Sequence, residues 1–195
     1  KIIEISGAEK IWAAGCDLCD GMIVDYAERQ EQIEPAHYFA EDIISYARTV
    51  AARYESNKEH TENVEKTALA IFDGIKKRAG LDQRDGILLQ MACILHDCGK
   101  YVNMLGGTDY SCAIVRATEF VGLSEQEKSI IADTIKYNAW HYVPKLSELK
   151  APLNRKNYIR MLKLAAILRL ANGMDRSHRQ KIRKVTTTFK EKELI

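Results

Sequence analysis

The pattern of hydrophobic and polar residues along the chain is that of a series of amphipathic helices. Over several long stretches apolar residues recur every three or four positions, which is the spacing of one face of an α-helix. These stretches predict helices at about 36–55, 57–79, 82–96, 109–121, 124–138 and 155–174. A looser pattern at 8–30 predicts a further helix, and β-like runs at 1–6 and 185–189 predict short strands.

Several predicted helix boundaries carry recognisable capping residues. The segments 56–59 and 124–127 have the S-x-x-E form of a capping box, in which two side chains bind the free N–H groups of the first helical turn. Asp82 with Asp85 marks another helix start, and Gly80 is a natural helix stop. The chain is therefore predicted to be all-α, a bundle of about six to seven helices with stub strands at its ends.

Charge is unevenly distributed although the net charge is only +2. Residues 1–66 carry 14 acidic and 7 basic residues, whereas residues 155–184 carry 10 basic residues against Asp175 alone. Such a basic segment favours an anionic partner, and a solvated helix surface explains it equally well. A nucleic-acid partner is the least favoured, because no helix-turn-helix pattern is evident and no aromatic residues interleave with the basic ones.

The composition favours a cytosolic protein. Five cysteines at irregular spacing do not form a secreted disulfide framework, and Cys16-x-x-Cys19 lacks the second pair that a structural zinc site needs. No signal peptide and no run of about 18 apolar residues is present, so we expect no membrane span. The chain begins with Lys1 in the middle of a pattern, and we expect it to be a piece of a longer protein.

The candidate chemistry centres on the end of the predicted helix 82–96. Apolar residues at helical spacing lead directly to His96 and Asp97, and Gly99 is expected to stop the helix. A buried His–Asp pair is costly unless something neutralises it. A divalent metal ion would do so, and Lys100 could hold phosphate oxygens beside it.

Two further residues interrupt apolar stripes in the same way. His60 lies on the stripe of the helix 57–79, and Asp175 ends the last helix, where an acidic residue opposes the helix dipole. Together with His96 and Asp97 they offer two imidazoles and two carboxylates, which suit Mn²⁺, Fe²⁺, Mg²⁺ or Zn²⁺. Spacing alone slightly favours a simpler arrangement of caps and salt bridges, including one from Arg176 to Asp175.

Longer stretches of the sequence resemble a known family. The order His60, His96-Asp97, Asp175 is the H…HD…D pattern of the HD-domain superfamily of metal-dependent phosphohydrolases, with the specific form HDxGK at 96–100. Further stretches resemble the C-terminal region of the exopolyphosphatase / guanosine pentaphosphate phosphohydrolase (Ppx/GppA) family, namely 96–103, 110–115, 136–138, 164–171 and 174–177. Residues 18–23 resemble the hinge after that family's actin-like domain, so the resemblance covers nearly the whole chain.

This resemblance implies an HD-domain-like bundle and a three-part chain. Residues 1–34 would be the end of the N-terminal actin-like domain and the hinge, 35–184 the HD-type helical domain, and 185–195 the start of a truncated C-terminal β segment. It also implies hydrolysis of phosphoanhydrides, with polyphosphate and guanosine pentaphosphate left open as substrates. The expected partners are one of these compounds, the actin-like domain of the same protein, and a second copy in a homodimer.

The candidate site residues follow from the resemblance and the charge pattern together. The expected metal ligands are His60, His96, Asp97 and Asp175, for Mn, Mg, Fe or Zn. Asp97 and Lys100 are the expected catalytic residues. The expected phosphate-binding or polyanion-binding residues are Lys100, Arg176, Arg179 and Lys181.

Two departures from the family leave the activity of this segment open. The Gly-rich phosphate loops of the actin-like domain are absent. Relatives also often carry histidines before the serine at position 111, where this chain reads Gly106–Tyr110 with Asp109 as the one replacement available for a second metal. The alternative function is a catalytically inactive accessory module that binds polyphosphate or nucleotide and mediates dimerisation.

Overall fold

A computed structural model of the chain describes residues 18–29, 39–139 and 153–182, together with 145, 147, 184–187, 189–190 and 193–194. The chain divides into two compact units, residues 1–38 and 39–195. In the first unit the described residues form one helix, α1 (Leu18–Arg29). The predicted strand at 1–6 lies outside the described residues.

The described part of the second unit is predominantly helical. Its α-helices are α2 (Phe39–Arg53), α3 (Lys58–Ala79), α4 (Gln83–Leu95), α5 (Gly107–Ala117), α6 (Glu125–Asn138) and α7 (Arg155–Met174). A 3₁₀ turn, Cys98–Tyr101, joins α4 to α5. Near the end of the chain β1 (Phe189–Lys190) and β2 (Glu193–Leu194) form a two-residue antiparallel pair, with Phe189 opposite Leu194. The all-α class predicted from the sequence is confirmed.

Helix α4 is the centre of the bundle. It contacts α2, α3, α6 and α7, and every residue from Leu88 to Leu95 except Gln90 is buried. A helix that is apolar on all sides must be surrounded, because any exposed face would leave hydrophobic area in water. His96 and Asp97, which directly follow α4, therefore lie in the interior of the bundle.

Most of the predicted helix termini are confirmed. Asp82 with Asp85 and Ser124 with Glu127 both form complete capping boxes, and Gly80 adopts φ +62° after the last turn of α3. None of the described helices is long and apolar enough to cross a membrane.

The predicted N-cap of α3 at Ser56 is wrong by one residue, and the predicted capping box is not formed. The N-cap of α3 is Asn57, whose Oδ1 accepts the backbone N–H of His60 at 3.0 Å. Asparagine is as good an N-cap as serine, so both residues were plausible. The hydroxyl of Ser56 instead donates to Sγ of Cys98 at 3.4 Å, which ties the start of α3 to the 3₁₀ turn.

Gly99 does not stop helix α4, contrary to the sequence prediction. The helix ends at Leu95, and Gly99 lies inside the following 3₁₀ turn. A Cβ atom at Gly99 would lie 1.9 Å from the carbonyl oxygen of Gly107 and 2.3 Å from the backbone nitrogen of Ser111. The missing side chain therefore permits the first turn of α5 to pack directly on the turn that follows Asp97.

Candidate metal centre

The predicted ligands come from three helices that contact one another, α3, α4 and α7. His60 lies in the first turn of α3, His96 and Asp97 follow α4, and Asp175 caps the C-terminus of α7. All four are buried, with exposed fractions of 0%, 3%, 6% and 1% respectively. Polar groups removed from water to this extent need partners for their charges and lone pairs.

The structure brings these four side chains into one cluster. Nε2 of His60 lies 3.3 Å from Nε2 of His96, and Nε2 of His96 lies 3.7 Å from Oδ1 of Asp97. On the other side of the His60 ring, Nδ1 lies 2.9 Å from Oδ2 of Asp175. Asp175 is therefore connected to His96 and Asp97 only indirectly, through its contact with the His60 ring.

Hydrogen bonds orient both imidazole rings. Nδ1 of His96 donates to the carbonyl oxygen of Cys93 at 2.7 Å, because a carbonyl oxygen can only accept. Nδ1 of His60 donates to the carboxylate of Asp175 for the same reason. Burial lowers the pKa of His96 to about 4, so this ring is neutral near pH 7. Its Nε2 then carries a lone pair that points towards His60.

Asp97 is an ionised carboxylate held by Lys100. Nζ of Lys100 lies 2.7 Å from Oδ1 and 2.8 Å from Oδ2 of Asp97. Burial by itself raises the pKa of Asp97, but the neighbouring His96 and Lys100 outweigh burial and hold the pKa below its ordinary value. About a third of the Lys100 side chain is exposed, so this residue connects the buried cluster to solvent.

The carboxylate of Asp175 binds both the His60 ring and the turn that follows α7. Its Oδ1 accepts the backbone N–H of Gln180 at 2.8 Å, and its Oδ2 accepts Nε2 of Gln180 at 3.2 Å. Burial raises the pKa of Asp175, but the hydrogen bonds from His60 and Gln180 outweigh it and hold the pKa below its ordinary value. The salt bridge considered between Asp175 and Arg176 is not made: Arg176 is exposed, and Asp175 is instead bound by His60 and Gln180.

His178 is a member of the cluster that the sequence patterns do not predict. Its ring stacks on that of His60, with ring centroids 3.7 Å apart and planes at 15°. Candidate ligand atoms of His60, Asp97 and His178 all lie within 4.8 Å of one another. The available signal was its position three residues after Asp175, directly beyond a stretch that was already singled out.

Ser111 fixes the turn that carries His96 and Asp97. Its hydroxyl accepts the backbone N–H of Gly99 at 2.7 Å and donates to the carbonyl oxygen of His96 at 2.8 Å. In the sequence, Ser111 stands out only as part of the stretch 110–115 that carries the family resemblance. Asp109, two residues before it, is exposed and pairs with Lys136 at 3.4 Å, so it is not part of the buried cluster.

Three cations of the basic segment are used in helix packing. Nε of Arg160 binds Asp85 at 2.6 Å, Nζ of Lys163 binds the carbonyl oxygen of Ala79, and Nε of Arg169 binds the carbonyl oxygen of Asn138 at 2.9 Å. These three cations hold α7 against neighbouring helices. The predicted phosphate-binding residues Arg176, Arg179 and Lys181 are instead exposed in the turn after α7.

Comparison with known proteins supplies the family. Residues 45–194 match the family model described as "Ppx/GppA phosphatase, domain III", which is well over half of the chain. The chain belongs to the Ppx/GppA phosphatase family. The family resemblance predicted from the motifs is therefore confirmed.

Two curated relatives are longer than this chain. A guanosine-5'-triphosphate,3'-diphosphate pyrophosphatase from Aeromonas hydrophila is 25% identical over 171 residues, and one from Aeromonas salmonicida is 23% identical over 171 residues. Each alignment covers 87% of this chain and 32% of the relative. The chain thus spans about a third of the length of these relatives.

Proposed function

We propose that this domain III is part of a phosphohydrolase that acts on phosphoanhydrides, and that it holds a divalent metal ion at His60, His96 and Asp97. Membership of the Ppx/GppA phosphatase family supports the reaction class. The activity for which the Aeromonas relatives are named supports a guanosine pentaphosphate substrate, with polyphosphate as the other member of the same chemical class.

The observation that carries the metal proposal is the approach of the two Nε2 atoms. Both rings use their Nδ1–H on oxygen acceptors, so two Nε2 lone pairs would face each other at 3.3 Å unless a cation lies between them. A proton on one Nε2 would form a hydrogen bond between the two rings, but it would not involve any other group of the cluster. A metal ion would also use the ionised carboxylate of Asp97, 3.7 Å from Nε2 of His96, and so would bind all three buried groups at one point.

The donor set indicates which ions fit. Two imidazole nitrogens and a carboxylate suit Mn²⁺, Fe²⁺ or Zn²⁺ better than Mg²⁺, which prefers oxygen ligands. In the structure Asp175 binds the far nitrogen of His60, and we propose that it orients this ring, as carboxylates commonly do for metal-binding histidines. Asp175 then contributes to the centre through His60.

We propose that Lys100 binds phosphate beside the metal ion. A bound divalent ion lowers the pKa of a coordinated water and polarises a phosphoryl oxygen. Lys100 lies between buried Asp97 and solvent, and we propose that its ammonium group neutralises a phosphate oxygen at the opening of the site. Asp97 and Lys100 are thus the proposed catalytic residues.

Calorimetric titration of the metal-stripped chain with Mn²⁺ tests this assignment. Wild-type protein should bind saturably, and Asp97→Asn should abolish binding because it removes the anionic ligand while keeping the side-chain shape. Asp133→Asn is the matched control, since Asp133 is equally buried but pairs with Arg116 at 2.6 Å. Equal binding by wild type and Asp97→Asn, or no binding by wild type, would contradict the metal proposal.

A second candidate function is an accessory module that binds a polyanion. The exposed residues Arg176, Arg179 and Lys181 support it, because polyphosphate is bound mainly by charge and with release of counterions. Binding should weaken steeply with salt and be reduced in the double variant Arg179→Gln/Lys181→Gln. Salt-independent binding would argue against this function. The homodimer, the actin-like partner domain and the cytosolic location stay predictions.

A further inference from the structure

We infer that His178 is an additional metal-binding residue of this centre, beyond the H…HD…D pattern. The inference rests on the proposed metal site and adds a residue to it. His178 offers a ring nitrogen whose distances to the candidate ligand atoms of His60 and Asp97 are no more than 4.8 Å. It is half-buried, whereas His60 and Asp97 are fully buried, so it closes the cluster on its more exposed side.

The distances are close to those that one ion requires. Two donors bound at about 2.1 Å to the same ion lie at most about 4.2 Å apart. The pairs His60–His96 and His96–Asp97, at 3.3 and 3.7 Å, already meet this limit. The distances from His178 to His60 and Asp97 exceed this limit by about 0.6 Å at most. An imidazole nitrogen binds a metal ion in the plane of its ring, so the His178 ring also has to turn out of its parallel stack on His60 when both rings bind one ion.

The turn after α7 holds His178 in this position. His178 has φ +53° and Gln180 has φ +46°, a left-handed conformation that non-glycine residues adopt rarely. The carbonyl oxygen of Asp175 accepts the backbone N–H of His178 at 2.8 Å, and its carboxylate accepts the N–H of Gln180. Asp175 therefore positions both His60 and the turn that places His178 over the His60 ring.

Stacking without metal contact is the alternative role for His178. Its ring is nearly parallel to that of His60 at 3.7 Å, and stacking alone would orient His60. The variant His178→Phe separates the two roles, because phenylalanine keeps an aromatic ring and removes both ring nitrogens.

Two measurements on the 195-residue chain test the inference. Calorimetry with Zn²⁺ compares wild type, His178→Phe and Asp97→Asn, and circular dichroism checks that each variant is folded. Nitrogen-15 NMR of histidine-labelled wild type follows the His178 ring nitrogens as Zn²⁺ is added, and does not depend on any variant folding. We expect His178→Phe to bind about tenfold more weakly or worse, and one His178 nitrogen to shift on metal binding.

The outcomes distinguish this inference from the proposed function. If wild type binds Zn²⁺ and Asp97→Asn does not, but the His178 nitrogens stay unshifted, the inference is overturned and the metal centre stands. If wild type binds no metal, both are overturned. A shifted His178 nitrogen together with weakened binding by His178→Phe establishes His178 as a ligand.

Discussion

The substitution Gly99→Ala tests how tightly helix α5 packs on the candidate metal centre. The added Cβ would lie 1.9 Å from the carbonyl oxygen of Gly107 and 2.3 Å from the backbone nitrogen of Ser111. Both obstructing atoms belong to the backbone, so no side-chain rotation relieves the overlap. The start of α5 has to move away from the turn by about 1.5 Å to restore van der Waals contact.

The expected loss of stability can be estimated from comparable overpacking. Inserting a methyl group into a closely packed region costs about 1–3 kcal/mol, and a backbone obstruction places Gly99→Ala near the upper end, at about 3 kcal/mol. For a chain of this size that corresponds to a fall in the melting temperature of about 6–12 °C. The displacement also disturbs the hydrogen bonds of Ser111 that hold the turn.

Urea unfolding followed by circular dichroism measures this effect through the midpoint at constant m-value. Gly173→Ala is the matched control, because it makes the same chemical change in helix α7 where no atom lies within 4 Å of the new Cβ. There the better helix propensity of alanine should stabilise the protein by about 0.5–1 kcal/mol. The two substitutions are therefore expected to have opposite signs. A Gly99→Ala protein within about 0.5 kcal/mol of wild type would refute the packing argument.

Two further predictions concern hydrogen bonds around the site and at a helix start. Ser111→Ala should lower the free energy of unfolding by about 2–4 kcal/mol, since the buried N–H of Gly99 and the carbonyl of His96 both lose their partner. Chemical unfolding of wild type and variant measures this free-energy difference. Glu127→Gln should be about 1 kcal/mol less stable than wild type at pH 7, and this difference should shrink as the pH falls below about 4.3. Burial raises the pKa of Glu127, but hydrogen bonds from Arg84 and from Ser124 outweigh it and hold the pKa below its ordinary value, so protonation at low pH removes the stabilisation in wild type.

Each of these predictions has its own control. Ser45→Ala replaces an exposed serine on α2 and should change stability by less than about 0.5 kcal/mol; equal effects at positions 45 and 111 would contradict the hydrogen-bond argument. For Glu127, thermal melts of wild type and variant between pH 3 and pH 7 give the comparison. A stability difference that grows towards low pH would have the wrong sign.

The sequence by itself determined the helical class and most helix ends, because these depend on short-range patterns. The capping boxes at Asp82 and Ser124 and the stop at Gly80 use residues within one turn of the chain. The boundary at Asn57 was misjudged because Ser56 and Asn57 are both good N-caps and adjacent in sequence. The family was also readable locally, since HDxGK at 96–100 is a contiguous motif.

Only the tertiary structure decided what the candidate site contains. His60, His96 and Asp175 lie far apart in sequence, and their contacts at 3.3 and 2.9 Å depend on how α3, α4 and α7 pack. The role of Gly99 changed for the same reason, since the atoms that exclude a side chain belong to α5. Hydrophobic periodicity could not predict the position of His178, because this residue lies in a turn. Its left-handed backbone conformation is stabilised by a hydrogen bond to Asp175. Local patterns specify helices, whereas a buried polar cluster is assembled by long-range packing, which short-range sequence rules do not encode.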